Sequence, residues 1–262
     1  RICQPVGTGM RRYLYCYQTT VHFSQPVTHH HVLLRCLPMP CRGVAIDEEH
    51  LVVSPGFSLR RGQDAFGNRI VYGERLDAHA TLAYVSTGVV TLSPDLQEVG
   101  AMPISMYLQP SRLASWPTDE DAILPPDSLH DAESIGRWVY EQLTYAPLST
   151  TVETSAVDVL RSGKGVCQDY AHVMVALCRR TGIAARYVCG FVAGTGVTHA
   201  WVETFDGTGW RGYDPTHGIP VEHGYLKIAH GRDAADCPVN RGVYLGNAVQ
   251  QTQISVTLLE SL

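Results

Sequence analysis

The feature that most constrains the fold is an apolar segment that follows a short glycine-containing stretch. Residues 163–166 read GKGV, and residues 167–180 read CQDYAHVMVALCRR, with Gly182 just beyond. A helix that is apolar on all sides lies inside a protein rather than on its surface, and glycine favours the end of a helix. The sequence therefore predicts a central buried helix over residues 167–180.

The first hundred residues have a different pattern, which is typical of β structure. Short runs rich in Tyr, Thr and Val alternate with turn signals such as Ser-Pro-Gly and Gly-Asn. Several short strands at this spacing favour a sandwich or an open barrel, so we expect a β-sandwich-like N-terminal domain over residues 10–93. The predicted strands cover residues 13–23, 32–37, 50–53, 57–61, 70–75 and 81–92.

The rest of the chain divides into a proline-rich stretch and a mixed region. Residues 94–127 carry six prolines and little periodicity, which predicts a linker with short structured pieces. Downstream, residues 128–262 are predicted to form a second domain in which a helix cluster packs on an antiparallel sheet, an α+β arrangement. Its predicted helices cover 129–143, 156–161 and 167–180, and its predicted strands cover 185–192, 198–204, 210–213, 225–229 and 254–259.

The composition indicates which kinds of partner and which cellular compartment to expect. The chain has 262 residues, 45% apolar and 17% charged, with a net charge of −5, so we expect no nucleic-acid partner. It has no apolar run long enough to predict a membrane span. Eight cysteines without a C-x-x-C pair, and a start unlike a secretory signal, favour the cytoplasm. Met10 is the more natural start, so we expect residues 1–9 to be an added or upstream extension.

Cys167 stands at the predicted start of the buried helix. The first N–H groups of a helix lack intrahelical partners, and the helix dipole favours an anion there. A cysteine in this position is therefore favoured as a nucleophilic thiolate, and the same N–H groups could stabilise an oxyanion. The alternative is a packing cysteine with no chemistry, which is the common role of cysteines.

Two further residues favour the chemical interpretation. His199 begins a predicted strand, and Asp214 ends the next one, with the turn DGTG at residues 206–209 between them. Antiparallel neighbours joined by this turn would place His199 beside Asp214. A thiolate, a base and an acid that orients the base are the parts of an activated nucleophile, in the order found in papain-like thiol enzymes.

The runs that carry these residues resemble a known family. GKGVCQDYAHVMVALCRRTGIAARYVCGFV, THAWVETF, GWRGYDPTHG and HGRDAADCPVNRGVYLG are similar to the microbial branch of the transglutaminase-like superfamily, and the early strands resemble the β-rich N-terminal region that accompanies it. The resemblance implies a transglutaminase-like core with a catalytic triad: Cys167 as nucleophile, His199 as general base and acid, and Asp214 as the residue that orients His199. It also implies acyl transfer from an amide through a thioester.

The function we predict is hydrolysis by a cysteine peptidase or amidase that acts on a peptide or protein, without cofactor or metal. The sequence has no D-x-D-x-D-G calcium loop, and residues 168–169, Gln-Asp, depart from the animal transglutaminases. Three alternatives stay open: transfer to an amine, a non-catalytic binding module, and a zinc-dependent hydrolase using Cys167, His199 and Asp214 as ligands.

Neighbouring residues receive structural interpretations. Asp169 is expected to cap the helix start, and His172 to pack inside the helix bundle. Trp201 and Trp210 are expected to be core or cleft-wall residues. The histidines at positions 29–31 are expected to form a solvated strand edge.

Overall fold

A computed structural model describes residues 9–97, 102–116 and 129–261 of the chain. Its strands and helices are, in chain order, β1 (Arg11–Leu34), β2 (Arg42–Ser54), β3 (Ser58–Gln63), β4 (Arg69–Arg75), β5 (His79–Gln97), α1 (Ala132–Gln142), β6 (Thr144–Tyr145), α2 (Ala156–Ser162), β7 (Lys164–Gly165), α3 (Cys167–Arg180), β8 (Ala185–Val192), β9 (Gly194–Gly196), β10 (His199–Phe205), β11 (Trp210–Asp214), β12 (Ile219–Pro220), β13 (Tyr225–Gly231), β14 (Asn240–Leu245) and β15 (Gln250–Glu260). Two short 3-10 helices, Ile104–Tyr107 and Ala234–Asp236, lie between them.

The longest strand, β1, organises an eight-stranded sheet. Its side chains alternate, so Tyr13, Tyr15 and Tyr17 are buried on one face while Leu14 points outward and is exposed. The first half of β1 pairs with β5 and β15, and its second half pairs with β4 and β14. The sheet is completed by β2 on β5, β3 on β4 and β9 on β15.

This topology joins the N-terminal region to the rest of the chain, and the sandwich-like form expected for that region stays a prediction. The strands β1 to β5 all lie in the same sheet, and three strands from the later part of the chain complete it. The layer facing this sheet comes from β8 and β13, whose Phe191, Leu226 and Ile228 share a core with Tyr17 and Tyr84. The division into domains over residues 10–93 and 128–262 stays a prediction, while the strand pairing ties the two regions together.

The second sheet is antiparallel, has the order β12-β11-β10-β8-β13, and carries the helices on its other face. Asp131 and Ser155 cap the starts of α1 and α2 with their side chains. Every residue of α3 from Asp169 to Arg179 is buried, which confirms the predicted central helix. The described residues therefore form three layers: helices, the five-stranded sheet and the eight-stranded sheet.

Part of the predicted linker is packed. Tyr107, Leu113 and Ala114 are buried within residues 102–116, whereas residues 98–101 and 117–128 lie outside the described part of the chain. The predicted N-terminal extension falls mainly on residues 1–8, which also lie outside it. Among the helices that the structure describes, none has the length and apolar character needed to cross a membrane.

Candidate active site

The loop before α3 places Cys167 at the first position of that helix. The strand β7 pairs with β6 and leads directly into Val166 and Cys167. Gly165 is required here because a Cβ at this position would come within 2.6 Å of the Cβ of Asp169. The Oδ2 atom of Asp169 accepts hydrogen bonds from the Val166 N–H, at 2.8 Å, and from the Thr150 hydroxyl, at 2.6 Å. Asp169 therefore fastens the turn, as the capping interpretation predicts.

His199 is the first residue of β10, a strand held between β8 and β11. The turn between β10 and β11 is closed by Asp206, whose Oδ1 atom accepts hydrogen bonds from the N–H groups of Thr208 and Gly209, both at 2.8 Å. This hairpin brings the His199 Nε2 atom to 2.7 Å from Oδ2 of Asp214 at the end of β11. The predicted pairing of these two residues is therefore present.

Asp214 is fully buried and extensively hydrogen-bonded. Its Oδ2 atom contacts His199 Nε2 and His217 Nδ1, each at 2.7 Å, and accepts a bond from the Tyr225 hydroxyl at 2.8 Å. Its Oδ1 atom accepts the N–H groups of Thr216 and His217. Burial alone would raise the pKa of this carboxyl, but the bonds and charge of His199, with those of His217 and Tyr225, lower it to about 2. Asp214 is therefore held as a carboxylate.

The His199 imidazole connects this carboxylate to the cysteine. Burial opposes its charged form, but hydrogen bonds to Asp214 and to the side chain of Cys167, together with the charges of both groups, raise the pKa of His199 to about 9. Because Nε2 is engaged by Asp214, the other ring nitrogen is left for the sulfur. The structure thus brings together all three side chains that the sequence singles out, and their catalytic roles stay predictions.

Two residues at this site have no role in the sequence-based predictions. His217 follows Asp214 in the DPTHG motif, so its proximity has a local signal, and its side chain is exposed. Tyr225 comes from β13, which is separated from β11 and β10 in the sheet by β8. No local pattern indicates that its hydroxyl binds Asp214, because the contact depends on the order of the strands.

The other residues singled out from the sequence have structural roles. His172 is fully buried, and its Nε2 atom accepts the N–H of Ala234 at 3.1 Å, which confirms the packed interpretation. Trp201 and Trp210 are buried in the core, also as expected. The predicted solvated edge is wrong for His30, which is buried and has its Nδ1 atom 3.0 Å from Nε2 of His79.

A metal at this site would use a ligand set that differs from the predicted zinc ligands. Within the described part of the chain, the group that could hold an ion is His199, Asp214 and His217, whose ligand atoms all lie within 4.8 Å of one another. Cys167 does not belong to this group. The Nε2 atom of His199 and the Nδ1 atom of His217 already contact the Asp214 carboxylate, so these three side chains form a hydrogen-bonded network.

A cleft of about 650 Å³ lies near the triad, although Cys167, His199 and Asp214 do not themselves line it. Gln168 and Thr198, the sequence neighbours of Cys167 and His199, line it at this end. It continues between the two sheets toward Phe23 of β1. A volume of this size is in the range of pockets that bind small molecules or short peptide segments.

The fold and the site together are of the general kind found in thiol enzymes, with a cysteine at a helix start, a histidine on a strand and a buried aspartate. The profile of the transglutaminase-like superfamily matches residues 122–215, and that of the bacterial transglutaminase-like N-terminal region matches residues 13–91. Residues 122–215 of this chain belong to the transglutaminase-like superfamily.

Similar proteins cover most of the chain. An uncharacterized protein of Mycobacterium tuberculosis H37Rv is 27% identical over 289 aligned positions, covering 92% of this chain and 90% of the relative. An uncharacterized protein of Mycobacterium leprae is 35% identical over 132 positions, or 47% of each chain. A solved structure from Cytophaga hutchinsonii, of a protein proposed to be a cysteine protease, has a TM-score of 0.75 at 24% identity and covers 97% of this chain and 92% of its own. This last likeness supports the fold.

Proposed function

We propose that this protein is a thiol-dependent hydrolase, a cysteine peptidase or amidase, that cleaves an amide bond through a thioester. The observation that carries the proposal is the connected series Cys167, His199 and Asp214, in which the imidazole lies 2.7 Å from the buried carboxylate and also interacts with the side chain of Cys167. Membership of the transglutaminase-like superfamily supports the same chemistry.

In the first half of the reaction, the Cys167 sulfur attacks the carbonyl carbon of the amide. The C–N bond then breaks, and His199 gives a proton to the nitrogen so that an amine leaves. Backbone N–H groups at the first turn of α3 are the candidates for stabilising the oxyanion, because helix-start N–H groups lack intrahelical partners. The product of this half is a thioester on Cys167.

In the second half, His199 takes a proton from water, and the resulting hydroxide attacks the thioester carbonyl. The C–S bond breaks, the acid is released and Cys167 returns as a thiolate paired with the imidazolium. Asp214 keeps the ring orientation constant throughout, since its Oδ2 atom holds Nε2 while the opposite nitrogen handles the proton.

Turnover of a proteome-derived peptide library tests the proposal. The Cys167→Ala protein should retain its fold and lose all cleavage, whereas Cys16→Ala, which changes a half-buried cysteine on β1, should cleave like the wild type. Equal cleavage by wild type and Cys167→Ala would contradict the assignment.

Alkylation supplies a test that needs no substrate. Cys16, Cys41 and Cys167 are all half-buried, so exposure alone predicts similar rates with iodoacetamide. We expect Cys167 to react first because of its helix-start position and its histidine partner. Peptide mapping of the alkylated protein measures the order, and preference for Cys16 or Cys41 would refute a reactive thiol at position 167.

The alternatives give different outcomes in the same assays. A labelled primary amine that enters the acyl product faster than water does would indicate transfer to an amine. Loss of cleavage with a chelator but not with iodoacetamide would indicate a metal-dependent reaction. Absence of reaction with any cysteine-directed acyl probe would favour a binding module.

A further inference from the structure

One edge of the strand β15 is only partly covered. On one side, residues 250–255 of β15 pair with residues 18–23 of β1. On the other side, β9 pairs with Val256, Thr257 and Leu258 alone. Among the described residues, none pairs with the outer edge of residues 250–255. An uncovered strand edge presents backbone N–H and C=O groups that can bind another extended chain.

This edge borders the cleft described above. Gln250, Thr252 and Ile254 line the cleft, and their spacing of two residues is that of side chains on one face of a strand. Gln251 and Gln253 are exposed and do not line it. One face of residues 250–255 therefore lines the cleft, and the uncovered edge runs along the same strand.

The uncovered edge also leads to the candidate active site. β9 pairs with β15 as far as Gly196, opposite Val256, and then leaves the sheet. Two residues later, Thr198 lines the cleft, and the next residue is His199. A strand added along residues 250–255 would continue the line of β9 and pass the point where the chain turns toward the triad.

We propose that the substrate is an extended peptide segment that binds as an added strand on residues 250–255 of β15, with its acyl carbonyl reaching Cys167. This inference rests on the proposed function and specifies its substrate class. Backbone hydrogen bonds to the strand edge supply the affinity, and the alternate side chains of the peptide meet Gln250, Thr252 and Ile254. The cleft volume of about 650 Å³ accommodates several residues, whereas a single side-chain amide would fill a small part of it.

The test uses N-acetyl peptidyl vinyl sulfones that contain one to five alanines and that alkylate Cys167. Because backbone pairing depends on length rather than on side chains, the second-order labelling rate of wild type should rise about tenfold or more between one and four residues. Thr252→Trp places an indole in the path of the peptide, so the four-residue probe should label this variant no faster than the one-residue probe. Gln253→Trp is the matched control on the opposite face, and it should keep the length dependence.

Hydrogen exchange on wild type gives a second measurement that does not depend on a variant. After labelling with the four-residue probe, the amides of residues 250–255 should exchange several-fold more slowly than after labelling with iodoacetamide. Length-independent labelling together with unchanged exchange at these residues would overturn the added-strand proposal while leaving the thiol chemistry intact. Failure of iodoacetamide itself to label Cys167 would instead overturn the proposed function, and the inference with it.

Discussion

Replacement of Asp214 by Asn should lower the pKa of His199 more than any other single change at the site. The pKa of His199 lies at about 9 rather than 6.5, although burial acts in the opposite direction. A pKa difference of one corresponds to about 1.36 kcal/mol, so the imidazolium is stabilised by about 3 kcal/mol. Asn keeps the shape but removes the charge, while the contact with Cys167 remains, so the pKa of His199 should fall from about 9 toward its ordinary value of 6.5.

The titration is measured by two-dimensional NMR of the histidine ring nitrogens between pH 5 and pH 10, with the His199 signals identified by their absence from His199→Gln. Asp206→Asn is the matched control, since it changes a carboxylate in the turn of the same hairpin without touching the imidazole. A His199 that still titrates near pH 9 in Asp214→Asn would refute the electrostatic role of Asp214.

The same substitution should affect catalysis and stability separately. Without the carboxylate, the imidazole is free to adopt the wrong tautomer, and kcat should fall by about 10³-fold or more. Asn can keep its amide oxygen for the N–H groups of Thr216 and His217. Its amide nitrogen would then face the Tyr225 hydroxyl, which donates to Oδ2 of Asp214, so the unfolding free energy should fall by about 1–3 kcal/mol. Rates are therefore compared at a temperature where thermal denaturation shows the variant to be folded.

Two further predictions concern buried ionisable groups. Glu203→Gln should lower the unfolding free energy in urea by about 3–5 kcal/mol, because Arg186 and Lys227 both bind this buried carboxylate, and a loss below about 1 kcal/mol would contradict the argument. Burial and the charge of His79 lower the pKa of His30 from 6.5 to about 4. As the pH falls through that range, His30 is therefore protonated in the unfolded chain before it is protonated in the folded chain. Stability should therefore drop by about 3 kcal/mol between pH 6.5 and 4 on account of this group, and His30→Phe should flatten that part of the pH profile.

Local sequence patterns predict the helical core well. The helix α3 has the predicted bounds of 167–180, because its apolar run and the following glycine both act within a few residues. The strand β1 shows the limit of such patterns: residues 13–23 and 32–37 are predicted as separate strands, whereas one strand runs from Arg11 to Leu34. Pro26 falls where the pairing is interrupted, between His22 and Val27, and at such an irregularity a strand tolerates a proline.

The residues of the candidate site also differ in how well local sequence patterns predict them. Cys167, His199 and Asp214 lie in motifs with a helix start, a strand start and a strand end, so local rules place them. Tyr225 depends on which strand neighbours β8, and the burial of His30 depends on a partner 49 residues away. Such contacts are set by sheet topology, and a single sequence carries no direct signal for them.

The pairing of Tyr13 with Glu260 has a consequence for how the protein is made. During synthesis, β1 leaves the ribosome long before β15, so the edge that β15 covers stays uncovered until β15 itself has been made. Pairing over such a separation carries a large loop-closure cost and favours slow folding. Until β15 is in place, the exposed edge of β1 can also pair with another nascent chain. Because strands from early and late in this sequence share one sheet, neither half of it is expected to fold when expressed alone.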